Sequence, residues 1–209
     1  MSKKELCVLL SKLQSFESPN MILEQYTTDS EVAGDALWFA HMLGDIDGRV
    51  MVDLGAGTGI LGLGAVVLGA KKAHLVDIDS NALRLAKTNK KYLEKEIGHN
   101  LDVVFINSDI SSFDSSADVV FMNPPFGTKK ENADSIFLLK AMSIAPIIYS
   151  FHKASTRTFI DRLVESNGFM RTHYREYNFP LKRSMPHHKQ RIEHIRVGLW
   201  RVERKALKK

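Results

Sequence analysis

The chain is short of cysteine, of long apolar runs and, toward one end, of acid, and each shortage excludes something. Cys7 is the single cysteine among 209 residues, so neither an internal disulfide nor a cysteine-built metal site is available within the chain. No run of about 18 apolar residues occurs, which removes the usual membrane-spanning helix. Met1-Ser-Lys-Lys-Glu5 leads into a short helical pattern broken by Lys12, not into the apolar stretch of a signal peptide. A soluble, unprocessed, cytoplasmic protein is the expectation, with a nuclear or nucleolar home also open for a eukaryotic source. There is no internal repeat, low-complexity tract or linker. Acid is scarce only at the end of the chain. Residues 175–209 hold 11 Lys/Arg against 3 Asp/Glu, leaving 18 against 21 for everything before. A terminal segment of that kind reads as a surface for phosphate backbones, or as a solvated basic tail.

What is present suits one domain. A hydrophobic content of 44% over this length can bury one substantial core. Residues 1–45 read as an N-terminal helical lid, 46–168 as a core and 169–209 as a basic hairpin and tail. Leu6, Leu9, Leu10 and Leu13 recur at helical spacing, predicting a helix near 4–14 that Pro19 closes off. A second helix starts at Asp29 or Thr28 and runs to Gly44. From Val50 the period changes to short apolar runs: Val50–Leu54, Ala73–Asp77, Val103–Ile106, Ala117–Met122 and Pro146–Phe151. Helical stretches near 60–69, 80–96, 134–145 and 155–166 separate or follow them. That alternation predicts an α/β fold, Rossmann-like, with a seven-stranded, mostly parallel sheet and helices on both faces. Phe169 to Phe179 and Gln190 to Val202 form its C-terminal antiparallel hairpin, joined across Lys182 to Lys189.

The first strand runs into Gly55-Ala-Gly-Thr-Gly59 and then a helix, so glycines stand where backbone must turn sharply beside a ligand. Asp77 lies 20 residues after Gly57, the offset at which an acid holds a ribose. The glycine pattern alone does not separate a dehydrogenase from a methyltransferase. Asp53 shifts the balance: its carboxylate can reach the amino group of a methionine moiety, whereas it would repel a pyrophosphate. Asp79 and Ser80 suit the cap of the next helix, leaving Asp77 to the ligand. Val-Asp-Leu-Gly-Ala-Gly-Thr-Gly59 resembles motif I of class I methyltransferases. The resemblance implies S-adenosylmethionine as cofactor and no metal. It implies Gly55 and Gly57 against the methionine part, with Thr58, Gly59 and Ile60 completing the loop. Asp77 would hold the ribose hydroxyls, and Asp109 with Ile110 would lie near the adenine; a plain turn is the other reading of Asp109.

The fourth strand ends in Asn123-Pro-Pro-Phe126, at the rim where open α/β sheets bind ligands. An exocyclic amine on an aromatic ring is a poor nucleophile because its lone pair is delocalised. Acceptors on its two hydrogens, the Asn123 side-chain carbonyl and the Pro124 backbone carbonyl, pull the nitrogen toward tetrahedral geometry. Pro124 and Pro125 stiffen the turn and remove competing N–H donors. Phe126 offers a face on which a flipped base stacks, worth about 1–3 kcal/mol. No dedicated general base is required. The motif resembles motif IV of amino methyltransferases acting on adenine N6, guanine N2 or a glutamine amide, and does not choose among them.

Leu23-Glu-Gln-Tyr-Thr-Thr28, Asn123-Pro-Pro-Phe-Gly-Thr-Lys129 and Tyr149-Ser-Phe-His-Lys-Ala-Ser-Thr-Arg157 together resemble the methyltransferase-like 5 family, from about residue 4 to 203. The resemblance implies methylation of adenosine N6 in small-subunit rRNA. It gives Gln25 and Thr28 to the cofactor site through a lid, in which the family usually has Pro where Thr27 stands. It also implies a heterodimer with a small zinc-binding activator that adds its strand to the sheet edge. His152 and Lys153, at the same rim, are read as contacts to substrate phosphate or the flipped nucleotide, with a helix cap on Ser155 and Thr156 as the other reading. Lys129, Lys130, Lys182, Arg183, Lys189 and Arg191 would line the RNA path. His187-His188 has no nearby acidic or cysteine ligand and is read as a phosphate contact or a solvated pair, not a metal site. A non-catalytic RNA-binding assembly protein keeping the same fold is the alternative from another class.

Overall fold

The computed structural model describes residues 1–16, 25, 27–125, 133–183 and 191–206. Two helices come first. In α1 (Lys3–Leu10) the Glu5 N–H donates to Ser2 Oγ and the Ser2 N–H donates back to the Glu5 carboxylate at 2.6 Å, a reciprocal cap. The helix ends at Leu10, about a turn before the expected end near residue 14. Gln14 instead spends its backbone N–H and C=O on the Asn89 side chain. The cap of α2 (Ser30–Met42) is Asp29 and not Thr28, since Asp29 Oδ1 accepts from the N–H groups of Glu31 and Val32 at 3.0 and 3.2 Å.

The alternating part then runs β1 (Val50–Leu54), α3 (Ile60–Val67), β2 (Lys72–Asp77), α4 (Ser80–Ile97), β3 (Val103–Asn107), β4 (Val119–Met122), α5 (Ala133–Ile144), β5 (Ile147–Lys153) and α6 (Arg157–Ser166). It closes with β6 (Phe169–Arg183) and β7 (Arg191–Arg204). β4 starts later than the apolar pattern suggests because the Ala117 N–H bonds the last carbonyl of α5, Ile144 O, at 2.9 Å. The hairpin strands are longer than expected and pair through Arg183↔Arg191.

The seven strands lie in the order β3-β2-β1-β4-β5-β7-β6. β1 to β5 run parallel to one another, and β7 is antiparallel to both β5 and β6. This is the expected mostly parallel sheet with its C-terminal hairpin. α1 to α4 cover one face around Leu37, Met51, Leu63, Leu75 and Phe121, while α5 and α6 cover the other around Val52, Leu138, Ile160 and Trp200. A buried ion pair fastens the hairpin to the sheet: the Arg201 guanidinium meets Asp45 at 2.7 and 3.2 Å, and Asp45 also accepts from the Tyr149 hydroxyl at 2.5 Å. No described helix is long and apolar enough to cross a membrane.

After β1 the chain moves outward to β2 and β3, then returns to add β4 on the other side of β1. The order of strands reverses there, and a crevice opens beyond the carboxyl ends of β1 and β4. Leu54 and Met122, the last residues of the two strands, are register partners, so the glycine loop and Asn123 leave the sheet side by side.

Candidate active site

The loop after β1 is built from three left-handed glycines: Gly55, Gly57 and Gly59 have φ of 71°, 54° and 83°. The Gly55 and Ala56 N–H groups both donate to Val76 O, at 2.9 and 3.0 Å, drawing the loop onto the end of β2. Gly59 is the N-cap position directly before α3, and a Cβ there would stand 2.8 Å from Leu75 Cδ2. Thr58 and Ile60 are buried at 4% and 6% exposure, so their side chains help hold the loop in place.

Beneath that loop lie two carboxylates. Asp53 is 2% exposed and accepts from the Gly62 N–H in the first turn of α3 at 2.8 Å. Burial pushes its carboxyl up to about 7, with the charge of Asp77 adding to the effect and the Gly62 N–H opposing it. The carboxylate is therefore enclosed under the loop. Asp77 is engaged too: Oδ2 accepts from the Gly57 N–H at 2.7 Å and Oδ1 from the Asp79 N–H at 2.8 Å. Burial raises its carboxyl as well, against the lowering by those N–H groups. Each oxygen of a carboxylate has a second lone pair, so these bonds orient Asp77 and leave it acceptor capacity. The expectation that Asp79 caps α4 holds, with Oδ1 accepting from Asn81 N–H at 2.9 Å. Asp109 is exposed, and its Oδ1 accepts from the N–H and hydroxyl of Ser111, capping a 3-10 turn over Ile110–Ser112. The turn reading of Asp109 thus describes one of its oxygens, and Ile110 is buried at 8% exposure.

Asn123 follows β4 half-buried, with Pro124 buried and Pro125 half-buried behind it. Phe126, Lys129 and Lys130 lie outside the described residues, as does Lys189. Asn123 Nδ2 donates to Thr28 Oγ1 at 2.9 Å, and Thr28 is 7% exposed. Gln25 Nε2 donates to Asp79 Oδ2 at 2.7 Å. The N-terminal segment therefore touches both the end of β2 and the turn after β4.

Three contributors were not read from the sequence. Asn89, 1% exposed, accepts from the Gln14 N–H at 2.8 Å and donates from Nδ2 to the carbonyls of Gln14 and Thr58, each at 3.0 Å. It ties the N-terminal segment to the glycine loop. The signal was there: with Ala82, Ala86 and Leu93 it occupies the buried stripe of α4, where a polar side chain needs partners. The others are aromatic. A Cβ on Gly55 would come within 2.9 Å of Phe137 Cε1, and one on Gly57 would meet Phe16 Cζ at 3.5 Å, so the two rings flank the loop.

The expected RNA contacts divide. His152 is corrected: it is 1% exposed, pairs through Nε2 with Ser150 Oγ at 2.6 Å and packs edge-on against Trp200. β5 continues through it, so in this conformation its ring lies in the core and not at the rim surface. Lys153 ends that strand half-exposed, and its carbonyl accepts from the Thr156 hydroxyl at 2.8 Å; Thr156 precedes α6 without a side-chain cap bond. β5 pairs with β7 as far as Lys153↔Val197, while β6 and β7 pair on to Arg183↔Arg191. Lys182, Arg183 and Arg191 thus belong to a two-stranded extension standing beyond the rim. The terminal basic segment is less uniform than its composition: Arg201 is buried against Asp45, Arg175 pairs with Asp35, and Arg196 with Glu176.

Sheet order, glycine loop and the asparagine–proline turn at the switch point define a Rossmann-like methyltransferase of class I. The family model described as Methyltransferase small domain matches residues 28–143. The chain is 37% identical over 208 residues to the rRNA N(6)-adenosine-methyltransferase METTL5 of Danio rerio, covering 96% of this chain and 98% of that one. It is 34% identical to the Drosophila melanogaster protein of the same description, over 93% and 92% of the two chains. A crystal structure of a candidate RNA methyltransferase from Pyrococcus horikoshii superposes with a TM-score of 0.87, at 40% identity and 98% coverage of both chains. The protein belongs to the methyltransferase-like 5 family.

Proposed function

We propose that this protein transfers the methyl group of S-adenosylmethionine to N6 of an adenosine in ribosomal RNA. The observation that carries the reading is the placement of Asn123 and Pro124 at the strand-order reversal, directly beside the glycine loop. The loop suits the cofactor: its glycines let backbone approach closely, and the carboxyl groups of Asp53 and Asp77 below it offer acceptors where a pyrophosphate would need donors. Asp77 is aimed at the loop by Gly57 and retains lone pairs for ribose hydroxyls. S-adenosylmethionine held there supplies an electrophilic methyl group on a sulfonium.

The chain's own residues do the rest. The Asn123 carboxamide and the Pro124 carbonyl accept the two hydrogens of the amine and hold its lone pair toward the cofactor side. Successive prolines keep these acceptors in place before substrate arrives, so little reorganisation is needed. Alignment within roughly 3–3.5 Å then matters more than a strong base.

The nucleobase is favoured over a protein amide by the basic extension beyond the rim, and adenine over guanine by the family. Purified protein, labelled S-adenosylmethionine, free rRNA and ribosomal subunits, with nucleoside mass spectrometry, test this directly. N6-methyladenosine is the expected product; N2-methylguanosine alone, or methyl on a glutamine side chain, overturns it. A heterodimer with a small zinc-binding activator belongs to the same reading. β3 is an edge strand whose outer side pairs with no other strand among the described residues, and Val104 on it is 38% exposed. Strand addition there would cover it, and raised activity on adding that subunit is the expected result.

A further inference from the structure

We infer that Arg157 is a binding residue for the RNA substrate, holding a backbone phosphate of the strand that carries the target adenosine. This deepens the proposed function and rests on its reading of the substrate as RNA.

Arg157 is the first residue of α6, one 3-10 turn after β5 ends at Lys153. Its guanidinium lies over the ring of Tyr174 on β6, with Cζ 4.3 Å from the ring centroid. Tyr174, Trp200, Ser150 and Met122 are successive register partners across β6, β7, β5 and β4, so the ring stands level with the residue before Asn123. β6 lies three strands from β4, roughly 14 Å across the sheet. An RNA whose adenosine reaches Asn123 therefore passes Arg157 within a few nucleotides.

Among the described residues of its cluster, Arg157 is the cation least neutralised. Asp161 Oδ1 accepts from Arg171 Nε at 2.8 Å and from Trp200 Nε1 at 3.0 Å, while its other oxygen is 4.0 Å from Arg157 Nε. Glu176 takes the Tyr174 hydroxyl at 2.8 Å and pairs with Arg196. The first turn of α6 holds no acid, and the Arg157 side chain is 47% exposed. A guanidinium laid on a ring has one face covered and its N–H edges outward, the arrangement that meets a phosphate through two parallel hydrogen bonds. Trp200 meets the Tyr174 ring edge-on at 4.7 Å, and bare Gly198 makes room for both, since a Cβ there would stand 2.5 Å from each. The platform under Arg157 is thus built before RNA arrives.

Filter binding of a labelled small-subunit rRNA transcript over a salt series tests this, beside methylation kinetics with the same RNA. Arg157→Gln is expected to raise the RNA Kd roughly 3- to 10-fold at moderate salt and to flatten the slope of log K against log salt by about 0.7–0.9. KM for RNA should rise by the same factor, with kcat and the S-adenosylmethionine Kd within about twofold of wild type. Arg162→Gln removes an equal charge from an exposed position on the same helix and is expected to change the RNA Kd less than about twofold. Arg157→Lys keeps the charge but not the planar fork, so it should retain the salt slope and still bind more weakly. It is also the variant to read if the glutamine one does not fold, and there an affinity equal to wild type overturns the inference. An RNA Kd for Arg157→Gln within about twofold of wild type, or no higher than that of Arg162→Gln, overturns it as well. Wild-type protein that neither binds nor methylates rRNA overturns the reading of the substrate, and this inference with it, before any variant is compared.

Discussion

Asp53 shows how one buried acid links stability to function. Its carboxyl stands near 7 in the folded chain against an ordinary 3.8, because burial under the glycine loop disfavours the charged form. Below the unfolded value both states are protonated. Between the two values the folded chain keeps a proton that the unfolded chain has lost, so stability falls as pH rises through that window and stays lower above it. A difference of that size corresponds to at most about 4 kcal/mol. Asp53→Asn keeps an acceptor for the Gly62 N–H and abolishes the titration. Thermal melts at pH 5 and pH 8 are expected to show the variant gaining on wild type at the higher pH; equal differences at both would remove Asp53 from the account. Asn123→Ala acts on chemistry instead of stability. Losing one preorganised group of this kind costs about 10²- to 10³-fold in kcat, with cofactor binding retained.

Among the elements, the N-terminal segment and α4 depend on each other through Asn89. Truncating it leaves the buried Thr58 carbonyl, and the part-buried N–H and carbonyl of Gln14, without the Asn89 side chain as their partner. Asn89→Ala is expected to destabilise by about 2–4 kcal/mol, which lowers Tm by roughly 5–15 °C in a chain of this size. Cofactor affinity should fall as well, since Thr58 loses its support; unchanged melting and binding would show the clamp to be incidental. Gly59→Ala is strained twice, by a φ of 83° and by Leu75 at 2.8 Å, so loss of the folded loop is the expected outcome. His152→Ala belongs at this scale also. Its ring packs on Trp200, so the expected effect is lower stability with RNA affinity unchanged in binding titrations.

At the scale of the molecule, charge and topology decide how a long anion approaches. The two-stranded extension stands beyond the rim and carries Lys182, Arg183 and Arg191, whereas Arg201 and Arg175 are held by Asp45 and Asp35. Reversing Lys182 and Arg183 to Glu is expected to weaken RNA binding across sequences. It should also flatten the dependence of log K on log salt by about 0.7–0.9 for each phosphate that the variant no longer neutralises, with cofactor affinity unaltered. A salt slope unchanged in filter binding would take the RNA path off the hairpin.

The local grammar of this protein is legible in one dimension. Glycines 55, 57 and 59 after an apolar strand, the alternation of period and the prolines behind Asn123 act through backbone geometry and neighbouring side chains, which sequence order already contains. Strand limits moved where a distant carbonyl intervened, as Ile144 O does for Ala117. His152 looked like a rim residue by position, yet its burial depends on Trp200, far along the chain and brought beside it by the antiparallel return of β7. The pairings Thr28 with Asn123, Asn89 with Gln14 and Arg201 with Asp45 join residues far apart in sequence. Sequence by itself determined the class of fold and the chemistry of the loop and turn. Only the tertiary structure decided which polar side chains are spent on one another, because hydrogen bonds form between neighbours in space and the packing of the whole sheet chooses those neighbours.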